Sequence, residues 1–86
     1  MIQISFKPTF IKQMNKLEQE LVDEALCKIN LFKNSSDLTS LKIHKLHGRM
    51  KDKWSFSVNY KTRIVFKYES KKEIVLLAIG DHDVYN

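Results

Sequence analysis

Apolar and polar positions follow two different periods along this 86-residue chain, and the switch between them marks out its elements. Ile2, Ile4 and Phe6 alternate with polar residues, which is the period-two signature of a short strand. From Pro8 onward the period lengthens. Phe10, Met14, Leu17 and Leu21 recur at helical spacing, and Val22, Leu26, Ile29 and Phe32 continue the series with polar residues between them. The pattern predicts two helices, or one bent near Glu18 to Glu20, ended by the turn chemistry of Asn34-Ser35-Ser36-Asp37.

From Leu38 to Lys53 no clean period survives, and the segment reads as a long loop carrying Gly48, with Leu41, Ile43 and Leu46 as anchors to the core. Loops of this length inside a small domain usually serve a function. Two hairpin-joined strands follow. In the first, Trp54, Phe56, Val58 and Tyr60 share one face, while Ser55, Ser57 and Asn59 share the other. In the second, Ile64, Phe66 and Tyr68 alternate with Arg63, Val65 and Lys67. After a turn at Glu69-Ser70-Lys71-Lys72, the run Ile74 to Ile79 is apolar on both faces, as expected of a strand inside the sheet. The order β-α-α-β-β-β predicts one α+β domain over residues 1–86: two N-terminal helices packed on one face of a mostly antiparallel four-stranded sheet, the other face open.

Composition narrows the function. With 43% hydrophobic residues, two Gly and one Pro, the chain is neither a disordered tail nor a multidomain enzyme. So short a chain has no room for a deep cavity around a large cofactor, so none is expected and the site should lie on an open face. The longest apolar run, Ile74 to Ile79, is far shorter than the roughly 20 residues of a membrane span. Lys7, Lys12 and Lys16 interrupt the N-terminal stretch where a signal peptide has its apolar core, so the expectation is a cytoplasmic protein without a membrane partner. The single Cys27 closes no internal disulfide and is expected in the core.

Charge is unevenly spread. Between Leu41 and Lys67 eight cations face one acid, Asp52, for a local charge of +7, whereas the rest of the chain carries −2. Such concentration is the footprint of a protein that meets phosphates or an acidic protein partner; a merely solvated Lys-rich surface is the plain alternative. If the aromatic side of the hairpin packs on the helices, then Ser55, Ser57, Asn59, Arg63 and Lys67 line the open side. The chain leaves its last strand at Gly80 and continues Asp81-His82-Asp83-Val84-Tyr85-Asn86, which brings ionisable groups to the same edge. Trp54, Phe56, Tyr60, Phe66 and Tyr68 are assigned to the core by their alternation rather than to a base-stacking platform.

Cleaving RNA without a metal needs a base near the 2′-hydroxyl, a cation at the scissile phosphate and an acid for the departing 5′-oxygen. His82 lies between two carboxylates, and histidine, whose ordinary pKa is close to neutrality, is the residue type suited to either proton-transfer role. Arg63 suits the phosphate because its planar fork binds two oxygens, though it could simply pair with Asp81 or Asp83. His44, His47, Lys45 and Tyr85 complete the candidates. A zinc site from His44, His47, Asp81, His82 and Asp83 has enough ligands, but nothing in the sequence brings the two segments together.

The succession Leu46-His47-Gly48, Trp54-Ser-Phe-Ser-Val-Asn, Thr62-Arg63-Ile-Val-Phe and Ala78-Ile-Gly-Asp-His-Asp-Val-Tyr85 resembles the RelE/ParE superfamily of bacterial type II toxins, most closely its RelE- and YafQ-type messenger-RNA interferases. The resemblance implies a microbial-RNase-like fold whose concave sheet face meets mRNA at the ribosome, and an antitoxin, often acidic, as partner. By position, Arg63 matches the strand arginine that binds the scissile phosphate. His82 falls where RelE-like members carry a catalytic Arg and YafQ-like members a catalytic His, and His44 matches a further functional His of YafQ-like proteins. Tyr85 corresponds loosely to the C-terminal aromatic, and Asp81 or Asp83 would hold the imidazole. Ser55 and Ser57 replace strand lysines of RelE-like enzymes, so Lys45, Arg49, Lys61 and Lys67 are the expected sources of charge along the RNA. The chain ends one residue past Tyr85, without the helical tail of some relatives. The rival expectation is a ParE-like inhibitor of DNA gyrase that cleaves nothing.

Overall fold

Pro8 opens the first helix, where its missing N–H leaves no bond unmade and its fixed φ fits the first turn. In the computed structural model, which describes residues 2–34, 38–81 and 84, the elements run β1 (Gln3–Phe6), α1 (Pro8–Met14), α2 (Gln19–Asn34), β2 (His44–Lys45), β3 (Trp54–Ser57), β4 (Arg63–Ser70) and β5 (Glu73–Gly80). Short 3₁₀ turns at Thr39–Leu41 and Gly48–Met50 flank β2. The helices are separate: α1 closes at Asn15, whose N–H donates to the Ile11 carbonyl, and the Glu18 carbonyl accepts from Leu21 and Val22 to start α2.

The stripe that α2 buries is Ala25, Ile29 and Phe32, with Leu21 partly buried ahead of them. This differs from the stripe predicted through Leu26, which is 50% exposed. Ala25 takes the inward position, and Leu26, 100° around the helix, is turned outward. Cys27, a further 100° on, is exposed rather than in the core.

The sheet order is β1-β5-β4-β3-β2, with β1 parallel to β5 and every other pair antiparallel. It has five strands, not four, because His44 and Lys45 pair with Ser55 and Trp54 at the edge. Two residues carry no readable period. The last strand lies inside the sheet as expected. Register between β4 and β5 shifts at Val65/Phe66, so that Ala78 faces Val65, Leu76 faces Phe66, and Leu77 is left out of the pairing. That shift puts Ile74, Leu76 and Ile79 in the core cluster despite their uneven spacing. Beyond Leu76 the strand β1 has departed into α1, and the Ile79 N–H donates instead to Gln13 Oε1 at 2.9 Å, which leaves no orphan amide there.

Between the helices and the sheet, Phe10, Phe32, Phe56 and Phe66 are each no more than 2% exposed. Phe32 meets Phe66 edge-on at 5.2 Å and Phe56 at the same distance. The β3–β4 hairpin turns just after Val58. Asn59 Oδ1 accepts from the N–H groups of Lys61 (2.9 Å) and Thr62 (2.8 Å), and its Nδ2 donates to Glu24 on α2 (3.0 Å). The alternation that placed Tyr60 in the core therefore stops at Val58, and Tyr60 stands 86% exposed at the tip.

Two stability predictions follow from this packing. Phe66→Ala removes a fully buried ring and should cost about 3–5 kcal/mol, a large share of the stability of so small a domain, whereas Leu26→Ala should cost about 0.5 kcal/mol or less. Asn59→Ala loses three hydrogen bonds at the hairpin and should cost about 1–3 kcal/mol. Urea denaturation followed by circular dichroism checks both.

Candidate functional site

Residues opposite one another across paired strands share a face, so the register lays out the side of the sheet turned away from the helices row by row. One row holds Ser57, Arg63 and Gly80; the next holds His44, Ser55, Val65 and Ala78; the third holds Lys67, Val75 and Ser5. Trp54, Phe56, Ile64 and Phe66 occupy the intervening positions and point to the other side, with Phe56, Ile64 and Phe66 buried in the core. Alternation within β3 and β4 thus places the sequence candidates His44, Ser55, Ser57, Arg63 and Lys67 on one surface.

Arg63 is half-buried and fixed. Its Nη1 donates to the carbonyls of Asn59 (2.6 Å), Tyr60 (3.2 Å) and Thr62 (3.3 Å), so one end of the guanidinium is tied to the hairpin backbone. A guanidinium has five N–H donors in a rigid plane, three of them on Nε and Nη2, and anchoring one corner sets the direction of the whole fork. His44 lies one row along and two strands across, roughly 12 Å from Arg63 at Cα by strand and residue spacings. The hydrogen bonds of Nη1 draw the Arg63 side chain toward the hairpin loop, which lies on the other side of its row from His44.

Other candidates are distributed differently. Ser55, expected to be exposed, is only 2% exposed, and Val65 and Val75 on the same face are buried as well, so this face reaches solvent at its margins, through His44, Ser57, Arg63 and Lys67. Lys67 is half-buried and lies 3.7 Å from Glu69. Lys45 belongs to the opposite face: it pairs with Trp54 and holds its Nζ 6.0 Å from the indole centroid. Lys45 therefore does not join the open-face cations. His47 and Arg49 are exposed at the 3₁₀ turn beyond β2, and Lys61 is exposed on the hairpin. Asp81 is exposed at the end of β5, one residue past the Gly80 that pairs with Arg63. The Val84 N–H donates to the Asp81 carbonyl at 3.1 Å, and both residues line the hollow at the corner between the helices and β5. His82, Asp83 and Tyr85 lie outside the described residues.

On the helix side, Glu18, Glu20 and Glu24 line a depression with Leu21 and Asn59. A larger hollow of about 460 Å³, lined by Gln13, Leu17, Leu21, Thr62 and Ile79 among others, sits at the corner between the helices and β5 and is mostly apolar. At the far end of the hairpin, Lys53 donates to Asp52 at 3.2 Å, and this bond holds the Asp52 carboxyl below its usual value. Among the described residues no three His, Cys, Asp or Glu side chains gather in an arrangement able to hold a metal ion, and no helix is long and apolar enough to cross a membrane.

Asn59 and Tyr60 lie elsewhere than strand alternation predicts. Asn59 locks the hairpin that carries Arg63, and its turn propensity was a usable signal. Tyr60 was masked by apparent alternation, although the Asn before it and the Lys after it mark the strand's end.

No protein-family profile and no curated protein matches the sequence. Solved structures do. YafQ from Escherichia coli BL21(DE3) superposes with a TM-score of 0.80 at 16% identity, covering 99% of this chain and 98% of that one. The E. coli DinJ–YafQ toxin–antitoxin complex matches with a TM-score of 0.77 at 17% identity over 96% of this chain and 94% of that one. The YoeB/ParE toxin from Agrobacterium tumefaciens matches with a TM-score of 0.75 at 15% identity over 94% and 99%. Across nearly all of its length, the chain has the α+β fold of the YafQ and YoeB/ParE toxins.

Proposed function

We propose that the chain is the toxin of a type II toxin–antitoxin pair and acts in the cytoplasm as an endoribonuclease that cuts mRNA during translation at the ribosome. The observation that carries this reading is the anchored Arg63 fork on the sheet face turned away from the helices, one row from His44 and two rows from Lys67. The fold shared with YafQ and YoeB/ParE toxins supports it. Relatives solved as DinJ–YafQ and YoeB–YefM complexes support an antitoxin as the protein partner.

In the proposed reaction, the 2′-oxygen of one nucleotide attacks the adjacent phosphorus as its proton passes to a base. The P–O5′ bond breaks, and an acid gives the departing 5′-oxygen a proton, leaving a 2′,3′-cyclic phosphate. The chain itself supplies the groups, without a metal or other cofactor. Arg63 stabilises the charge growing on the equatorial phosphate oxygens. Because its Nη1 is already tied down, little reorganisation accompanies that charge. His82, with Asp81 or Asp83 orienting it, is assigned one proton transfer, and His44 or His47 is the auxiliary for the other. Lys61, Lys67, Arg49 and Ser57 meet the flanking backbone, and Tyr85 positions the substrate. Ser55 contributes from beneath, as a buried support to His44's row.

Cleavage of translated messages, read by primer extension from a reconstituted translation mixture, tests this. Arg63→Lys keeps the charge but loses the fork and should lower the rate about 10²- to 10³-fold. His82→Ala should lower it about 10²- to 10⁴-fold. Lys45→Ala, on the opposite face, should cleave like the parent. Parental rates in both site variants would refute the assignment, and an intact message with DNA gyrase inhibited in a supercoiling assay would establish the ParE-like alternative instead.

A further inference from the structure

Tyr60 is 86% exposed, yet its loop is one of the most heavily bonded parts of the molecule. Asn59 Oδ1 accepts from Lys61 and Thr62, the Val58 N–H donates to the Thr62 carbonyl at 2.9 Å, and Asn59 Nδ2 ties the loop to α2. The Tyr60 carbonyl itself accepts from Arg63 Nη1 at 3.2 Å. A flat aromatic ring is thus held out into solvent by the backbone segment that fixes the phosphate-binding fork.

We propose that Tyr60 is a base-stacking residue of this site, receiving the nucleobase next to the phosphate that Arg63 holds. The inference rests on the nuclease reading above and extends it to a residue that contacts the substrate base. A phosphate on the Arg63 fork is within one nucleotide of a ring borne on the residue to which Arg63 is bonded. Lys61 adds an exposed cation on one side of Tyr60 in the chain, while Asn59 on the other is bonded to Glu24 beside Glu18 and Glu20, so the exposed ring rather than the local charge carries the inference. Stacking needs only one face of a preorganised ring, and Tyr has few rotors to freeze. A protein-docking hot spot, by contrast, sits within an apolar patch. Lys61 and Thr62, next to Tyr60 in the chain, line the mostly apolar hollow at the corner of the helices and β5, so a protein contact is the rival that the antitoxin-capture arm of the test separates.

The test uses the full chain in the reconstituted translation mixture, with cleavage measured against protein concentration. Tyr60→Ala should raise the half-saturating concentration about 5- to 150-fold, the range of one base stack, with a much smaller change in the maximal rate. Tyr60→Phe and Tyr60→Trp should restore it, because each keeps a π face. Messages with a purine beside the cut should lose more on Tyr60→Ala than those with a pyrimidine. Thermal unfolding of Tyr60→Ala should match that of the parent, since the ring is almost wholly in solvent. If the parent cleaves, Arg63→Lys is impaired and Tyr60→Ala saturates like the parent, the stacking role is wrong while the nuclease reading stands. If Tyr60→Ala cleaves normally but no longer captures the antitoxin, the ring is a protein contact and the proposal is overturned. If the parent cleaves no message, both proposals fall together.

Discussion

Three hydrogen bonds from a single nitrogen, Arg63 Nη1, to the carbonyls of Asn59, Tyr60 and Thr62 join the fold of this protein to its chemistry. The carbonyls belong to a hairpin that Asn59 has already shaped, and the arginine is the first residue of β4. Folding the hairpin therefore also aims the guanidinium. A cation free to rotate would lose conformational entropy on gripping a phosphate; one tied at a corner has lost much of it beforehand. The hairpin acts as both a structural turn and a mount for the fork.

Strand β4 divides the molecule. Ile64 and Phe66 go into the core shared with Phe32 and Phe56, while Arg63, Val65 and Lys67 go to the other side. The register shift opposite Leu77 lets β5 follow this division, so that Ile74, Leu76 and Ile79 remain inside. Charge does not divide so simply: Glu18, Glu20 and Glu24 gather in one depression beside Asn59, but Lys12, Lys16, Lys28 and Lys33 balance the four acids of the helices, and the excess of positive charge belongs to residues 41–67.

Much of this was legible in the chain. Strands β3, β4 and β5 announce themselves because strict alternation or an unbroken apolar run survives over several residues, and that alternation is why Arg63 could be placed on the open face before any coordinates. Strand β2 was not legible, since pairing of two residues is dictated by the neighbouring strand and not by a period of their own. Lys45 consequently changed faces, and the same pairing brought His44 onto the open one. Ala25 rather than Leu26 faces inward on α2, a choice that a ranking by hydrophobicity does not reveal. Ser55 is buried, as are Val65 and Val75 on the same face, and Tyr60 lies beyond the last true strand position. The anchoring of Arg63 leaves no mark in sequence because its acceptors are backbone carbonyls. The roles given to His82, Asp83 and Tyr85 rest on sequence position and resemblance.

The central claim is that the anchored fork is where RNA is bound. Nuclear magnetic resonance of the isotopically labelled chain, titrated with a short oligoribonucleotide protected from cleavage by 2′-O-methyl groups, tests it most directly. The Arg63 Nε resonance and the amides of residues 59–63 should shift together as the oligonucleotide saturates, while the amides of α2 outside its contact with Asn59 stay in place. Saturating shifts along α2, with the hairpin and the Arg63 side chain unmoved, would contradict the account.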